Sequence, residues 1–248
     1  MMSLVLALLL GASSLAELPD VPAGSLRFYV VRHGQAYSNL SPAPADMKPG
    51  ELDQLTPQGR EQARRSGEVL KDKAIALIVC SPRKRTRQSA EEIRAALGRD
   101  VEIRVDERLR PLEMGRGSGG RELEWNDRWE QWEFGQDPAP PSGESLEELG
   151  QRVLSVMLEL KRSVSGRAVV LVTHSEVVSN TVGFLRGETL TGRFGVRINN
   201  ASLTAVESGP ATLPQVLLVN WLPEAPAQAS RSSHAGAAGS SPRRRAAP

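Results

Sequence analysis

A chain of 248 residues, 40% of them hydrophobic, is long enough to bury one sizeable α/β core or at most two small ones. A formal net charge of +2 excludes a strong field for nucleic acid, and a single cysteine, Cys80, excludes an internal disulfide framework. Only three histidines occur, His33, His174 and His234, so each position is informative.

The first sixteen residues carry no charged side chain, and Leu4 to Leu10 is a solid apolar run. Small residues at Ser14 and Ala16 fit the spacing before a signal-peptide cleavage site, although no Lys or Arg precedes the run. The run is too short for a stable bilayer anchor. Residues 1–16 are therefore expected to be a signal peptide, with the mature chain beginning near Glu17 and exported (periplasmic or secreted). The alternative is an ordinary hydrophobic start to a cytoplasmic protein. Pro19, Pro22 and Gly24 mark 17–25 as a linker, and 26–222 as the folded region.

Three apolar runs have the length and β-branched content of buried parallel strands: Leu26–Val31, Ile75–Cys80 and Ala168–Val172. Helical patterns separate them. One starts at Thr56-Pro57, with Thr as N-cap and Pro in the first turn, and runs to about Lys71. A second spans about Arg85 to Leu97 and stops at Gly98. The segment Gly115–Gly143, with Trp125, Trp129 and Trp132, has no clean period and reads as an insertion over one end of the sheet, with room for a short helix. A third helix begins at Ser145 with a capping-box Glu148 and presents Leu146, Leu149, Val153, Val156, Met157 and Leu160 on one face. A fourth covers about Glu176 to Leu185. Weaker strands are expected at Val101–Val105, Ser202–Val206 and Val216–Trp221. The tail 223–248 is rich in Ala, Ser, Pro and Arg, predicts disorder, and makes His234 inert. The alternation of strands and helices predicts an α/β fold with a mostly parallel sheet covered on both faces.

Each buried strand is followed by residues suited to one chemistry. Arg32, His33 and Gly34 follow the first, Ser81, Pro82 and Arg85 the second, and Thr173 and His174 the third. Ligands of open α/β sheets bind beyond the carboxyl ends of the strands. A lone histidine there is more often packed than catalytic, but two histidines and two arginines converge. Arginine forks hold phosphate oxygens bidentately, and a neutral imidazole serves as nucleophile when a hydrogen bond to its other nitrogen fixes the tautomer. No metal-ligand motif occurs, and no cofactor or metal is expected.

The string Arg32-His33-Gly34-Gln35-Ala36-Tyr37-Ser38-Asn39 resembles the signature of the histidine phosphatase (phosphoglycerate-mutase-like) superfamily. Leu55-Thr56-Pro57-Gln58-Gly59, Ser81-Pro82-Arg83-Lys84-Arg85-Thr86-Arg87-Gln88, Pro141-Ser142-Gly143-Glu144-Ser145, Thr173-His174 and Asn200-Ala201-Ser202 follow in that family's order. The resemblance implies a three-layer α/β/α fold. It also implies a phosphomonoesterase that works through a phosphohistidine on His33, with Arg32 and Arg85 clamping the phosphate. His174 would contact it, and Asn39 would be an accessory contact. Arg83, Lys84 and Arg87 read as a solvated helix start, and Gln35 and Gln62 as surface or capping residues.

One departure concerns the leaving group. The position where the family carries its proton-donating glutamate is Pro111 here, within Leu109-Arg110-Pro111-Leu112-Glu113. Glu113, two residues on, would share a side with position 111 in an extended segment and is the candidate acid, with a pKa raised by the neighbouring phosphate. Its bland alternative is an ion pair with Arg110 or Arg116, and its rival is Glu176. Two further functions stay open: mutase-type phosphoryl transfer, and a phosphate-binding regulatory protein with impaired turnover. The expected partner is a phosphorylated small molecule or phosphoprotein, with no nucleic acid and no stable membrane anchor.

Overall fold

The computed structural model describes residues 12–164 and 167–223. The apolar run Leu4–Leu10, the tail from residue 224 and His234 lie outside the described residues.

The three apolar runs are the central strands of one six-stranded sheet: β1 (Leu26–Arg32), β2 (Ile75–Cys80) and β4 (Ala168–Thr173). Strands β3 (Ile103–Val105), β5 (Leu203–Ser208) and β6 (Gln215–Trp221) complete it in the order β3-β2-β4-β1-β5-β6. The first four strands in that order are parallel, and β5 runs antiparallel to both β1 and β6. The sheet is thus mostly parallel, with an antiparallel hairpin closing one edge.

Five helices cover it: α1 (Pro57–Glu68), α2 (Lys84–Leu97), α3 (Trp125–Glu133), α4 (Leu146–Ser163) and α5 (Ser175–Arg186). Their ends follow the sequence signals. Thr56 Oγ1 accepts from the Gly59 amide at 3.0 Å, and Ser145 Oγ from the Glu148 amide at 3.0 Å. Gly98 and Gly187 end α2 and α5 with φ of 65° and 68°, where a side chain is disfavoured.

Side chains alternate across β1, so Phe28 and Val30 face one layer while Tyr29 and Val31 face the other. The first pair packs with the apolar stripe of α4 and with Val177 and Val178 of α5. The second packs with Ile93 and Leu97 of α2 and with Leu70 just beyond α1. This is a three-layer α/β/α arrangement with two cores on one sheet. The segment read as signal peptide and linker contributes to the second core. Leu15 and Leu18 are buried in it, and the Ala12 amide donates to Leu217 O at 3.1 Å. Among the described residues, no helix is long and apolar enough to cross a membrane.

Candidate active site

Register alone brings the polar residues together. Cys80, Val172 and Val31 lie side by side in β2, β4 and β1, and Arg32 pairs with Thr173. The residues that leave these strands therefore emerge at one level. The His33 amide donates to Thr173 O at 2.9 Å and the Ser81 amide to Val172 O at 3.0 Å, which extends the ladder by one position into the site. His33 and His174 end up with ring centroids 5.3 Å apart.

The hydrogen bonds of His33 fix its tautomer. Nδ1 lies 2.7 Å from the carbonyl oxygen of Gly34, which can only accept, so Nδ1 carries the proton. Nε2 receives a hydrogen bond from Nε of Arg85 at 3.0 Å, and arginine can only donate, so Nε2 presents a lone pair. Burial, reinforced by the Arg85 charge, pushes the His33 pKa down to about 3. The imidazole is neutral and directed, as a nucleophile must be.

Arg85 also donates through Nη2 to Nδ1 of His174 at 3.0 Å, and its Nη1 pairs with Asp53. Nε2 of His174, which must then carry the hydrogen, donates to Ser81 Oγ at 2.8 Å. Burial holds His174 far below the ordinary histidine range, with the Arg85 charge adding to it. Arg32 reaches Ile198 O with Nη1 at 2.6 Å, while its buried Nε has no partner among the described residues. An unpaired buried guanidinium N–H is costly, and an anion bound at this level would satisfy it.

The backbone of Arg32 and His33 is clamped from the turn that leads into β5. The Ala201 amide donates to Arg32 O at 3.0 Å, and Asn200 Nδ2 donates to His33 O at 3.1 Å. Ala201 holds φ at 55°, a conformation that non-glycine residues seldom adopt, and this places its amide. From the other side, Gly34 and Gly59 interlock. A Cβ on Gly34 would sit 2.1 Å from Gly59 O, and one on Gly59 1.9 Å from Gln35 O. The two motif glycines thus seat the first turn of α1 against the nucleophile's loop. Gln35 and Gln62 tie that same contact together, with the Gln35 amide donating to Gln62 Oε1 at 2.9 Å and Thr56 Oγ1 to Gln35 Oε1 at 2.9 Å.

Other predicted site residues are placed differently. Asn39 is exposed, and its Oδ1 accepts from the Ala36 amide at 3.0 Å, capping its own turn; only its amide group is left to offer a phosphate. Glu113 forms a two-pronged ion pair with Arg110, Nε to Oε1 at 3.0 Å and Nη2 to Oε2 at 3.2 Å. That pair holds its carboxyl below the usual carboxylate range. Leu112 and Met114 are the residues of this segment that line the main cleft, and Glu113 does not. Its position is set by a buried ion pair. Arg152 holds Glu144 through two bonds of 2.7 Å and donates to Pro111 O at 3.1 Å, while Glu144 accepts from the Glu113 amide at 3.1 Å.

The main cleft, of about 620 Å³, opens beside Arg32. Its apolar walls are Leu112, Met114, Trp125, Phe194, Val196 and Ile198, and Ser175, Glu176, Ser179 and Arg197 complete the lining. Glu176 stands in the first turn of α5, two residues beyond His174, and its charge acts on Arg32. Among the described residues, no group of three or more His, Cys, Asp or Glu side chains is placed to hold a metal ion.

The chain resembles known proteins in the region that builds this site. Residues 28–221 match the model of the histidine phosphatase superfamily (branch 1). Over 189 residues the chain is 30% identical to the probable phosphoglycerate mutase GpmB of Salmonella arizonae, covering 73% of this chain and 85% of that protein. Of solved structures, "Mycobacterial hydrolase 2" superposes with a TM-score of 0.65 at 25% identity, covering 82% of this chain and 94% of the other. The mycobacterial glucosyl-3-phosphoglycerate phosphatase complexed with VO3 superposes with a TM-score of 0.61 at 27% identity, covering 79% and 98%.

Proposed function

The chain belongs to the histidine phosphatase superfamily (branch 1), whose members are phosphatases and phosphomutases that generally act through phosphohistidine, and from that membership we propose that it is a metal-independent phosphomonoesterase. The observation that carries this reading is the tautomer of His33, with Nδ1–H tied to Gly34 O and a lone pair on Nε2 facing the Arg85 fork.

The reaction proceeds in two displacements. Nε2 of His33 attacks phosphorus as the ester P–O bond breaks, and the departing alkoxide takes a proton. Water then attacks the phosphohistidine, releasing inorganic phosphate and restoring neutral His33. Charge in each transition state lies on the equatorial oxygens, so catalysis rests on cations preorganised around them. Arg85 and Arg32 supply these as guanidinium forks, and His174 supplies a further donor once the phosphate draws a proton onto it. Incoming phosphate oxygens replace the two histidines as acceptors of the Arg85 hydrogens, which frees the lone pair at the moment the phosphorus approaches it.

Pro111 offers no proton, so the leaving oxygen needs another acid. We assign that role to Glu176 ahead of Glu113. Glu176 lines the cleft beside Arg32, whereas Arg110 occupies the Glu113 carboxylate. The likeness to probable phosphoglycerate mutases favours, as a second reading, transfer of the phosphoryl group to a hydroxyl instead of water.

A rapid-quench experiment with a 32P-labelled monoester tests the function. An acid-labile, base-stable adduct should form in the presence of EDTA and be absent from His33→Ala. Release of inorganic phosphate marks hydrolysis, and label appearing in a second ester marks the mutase. A labelled His33→Ala protein, or activity abolished by EDTA, would refute the assignment.

A further inference from the structure

We infer that the alcohol portion of the substrate is an apolar, ring-bearing group held in the cleft against the wall that Trp125 and Phe194 form together, so that the enzyme selects benzyl-type phosphate monoesters over sugar and glycerol phosphates. The inference rests on the phosphatase reading of the site and deepens it.

The location follows from the geometry of attack. In an in-line displacement the leaving oxygen lies opposite Nε2 of His33, and the alcohol extends away from the histidine pair. The cleft of about 620 Å³ shares Arg32 with the phosphate cradle and takes Ser175 and Glu176 from the helix turn that begins at His174. That volume is in the range that encloses small organic ligands, roughly 300–1,000 Å³.

The walls are chemically one-sided. Phe194 lies on the short turn Gly192–Phe194 after α5, and Trp125 opens α3, so two distant segments meet. Their rings contact edge to face, with centroids 4.9 Å apart and planes at 82°. Trp132 stacks on Phe194 from behind at 5.5 Å and 26° and is buried, which fixes the wall before any ligand arrives. Trp125 remains 39% exposed, a large apolar surface that the fold itself leaves uncovered. Of the polar groups in the lining, the two serines and one nitrogen of Arg32 are committed, while Glu176 and Arg197 stand beside them. Ser175 Oγ donates to Glu176 at 3.0 Å, Ser179 Oγ to Val196 O at 3.0 Å, and Arg32 Nη1 to Ile198 O. A polyol would bury hydroxyls against Leu112, Met114 and Val196 with few partners, which is unfavourable. An aromatic ring meets three aromatic and aliphatic walls and gains by displacing water from them.

Benzyl, methyl and glycerol 3-phosphates isolate this effect, because all three release an alkoxide and so make similar demands on the acid. For the wild-type protein, kcat/KM on benzyl phosphate should exceed that on the other two by roughly ten- to a hundredfold. In Phe194→Ala and in Trp125→Ala the ratio should fall toward one, and Phe194→Leu should restore part of it. Binding of benzylphosphonate and methylphosphonate, measured calorimetrically, gives the same comparison without turnover. Hydrolysis of all three esters at similar kcat/KM would overturn the inference and leave the phosphatase reading standing. No hydrolysis, with benzylphosphonate still bound more tightly than methylphosphonate in a Phe194-dependent way, would overturn the phosphatase reading and keep the cleft's preference. Equal binding of the two phosphonates would also overturn the inference.

Discussion

Nε of Arg85 donates to Nε2 of His33 across 3.0 Å, so the cation proposed to clamp the phosphate also holds the lone pair proposed to attack it. The same guanidinium reaches His174 and is anchored by Asp53. Its planar fork, and not its charge alone, registers the three groups. Arg85→Ala should lower kcat by roughly 10²–10³, as for other preorganised donors. Arg85→Lys keeps the charge but cannot address two histidines and a carboxylate at fixed angles. It should therefore lie nearer the Ala variant than the wild type. Steady-state kinetics on a simple alkyl phosphate decide this, and near-normal kcat in the Lys variant would show that charge suffices.

The buried, neutral state of His33 links stability to pH. Its folded pKa, about 3, lies below the value near 6.5 of an unfolded histidine. Between those values the unfolded chain binds a proton that the folded chain does not, so stability falls as pH drops from about 6.5 toward 3. His174 acts in the same direction. Each proton taken up on unfolding contributes about 1.4 kcal/mol per pH unit. Urea unfolding between pH 7 and pH 4 should show this loss, and His33→Gln should flatten the slope. An unchanged slope would mean that His33 is already charged in the folded protein.

Much of this architecture is legible in the sequence because the relevant signals are local. Strand length and β-branching mark β1, β2 and β4, and the Thr56 and Ser145 caps mark helix starts. Their parallel register then carries Arg32, His33, Arg85 and His174 to one edge. What escapes a linear reading depends on contacts between distant segments. Ser81 is visible only as part of a motif, yet its hydroxyl at the end of the neighbouring strand accepts the Nε2 hydrogen of the His174 tautomer that Arg85 fixes. Asp53 lies in an unremarked loop and anchors Arg85. Phe194 and Trp125 form a wall only because two loops converge. The spacing that recommends Glu113 takes no account of the Glu144–Arg152 pair, which holds the Glu113 amide while Leu112 and Met114 line the cleft.

The N-terminal segment offers a test of export and stability together. Leu15 is 5% exposed within the second core, and the Ala12 amide bonds to Leu217 O in β6. Cleavage after Ala16 removes both contacts while leaving Leu18. We propose export with that cleavage, so N-terminal sequencing of protein from the native host should begin near Glu17; an intact Met1 or Met2 on the abundant form would count against it. A chain starting at Glu17 should fold and be less stable than one starting at Ala12. The difference should be at most about 1.5–3 kcal/mol, the value of one buried leucine. Equal urea midpoints would show that the docked segment adds nothing.

The proton donor gives the sharpest kinetic test. A leaving alkoxide needs protonation as the P–O bond breaks, and the resemblance to the family's pattern puts Pro111 at its glutamate position, with the Pro111 carbonyl engaged by Arg152. Glu113 is nearest in sequence, but the Arg110 fork stabilises its ionised form, and an ionised carboxylate cannot donate. Glu176 lines the cleft that receives the alcohol and sits in the turn of α5 that begins beside His174. Glu176→Gln should slow hydrolysis of methyl phosphate by roughly a hundredfold or more, the usual worth of general acid catalysis. It should have little effect on p-nitrophenyl phosphate, whose leaving group needs no proton. Glu113→Gln should leave both rates close to wild type, since it removes only a partly exposed ion pair of small value. A selective loss in Glu113→Gln instead would return the role to Glu113 and require the Arg110 pair to break on substrate binding. Equal losses on both substrates in Glu176→Gln would make Glu176 a positioning partner of Arg32, with no part in proton transfer.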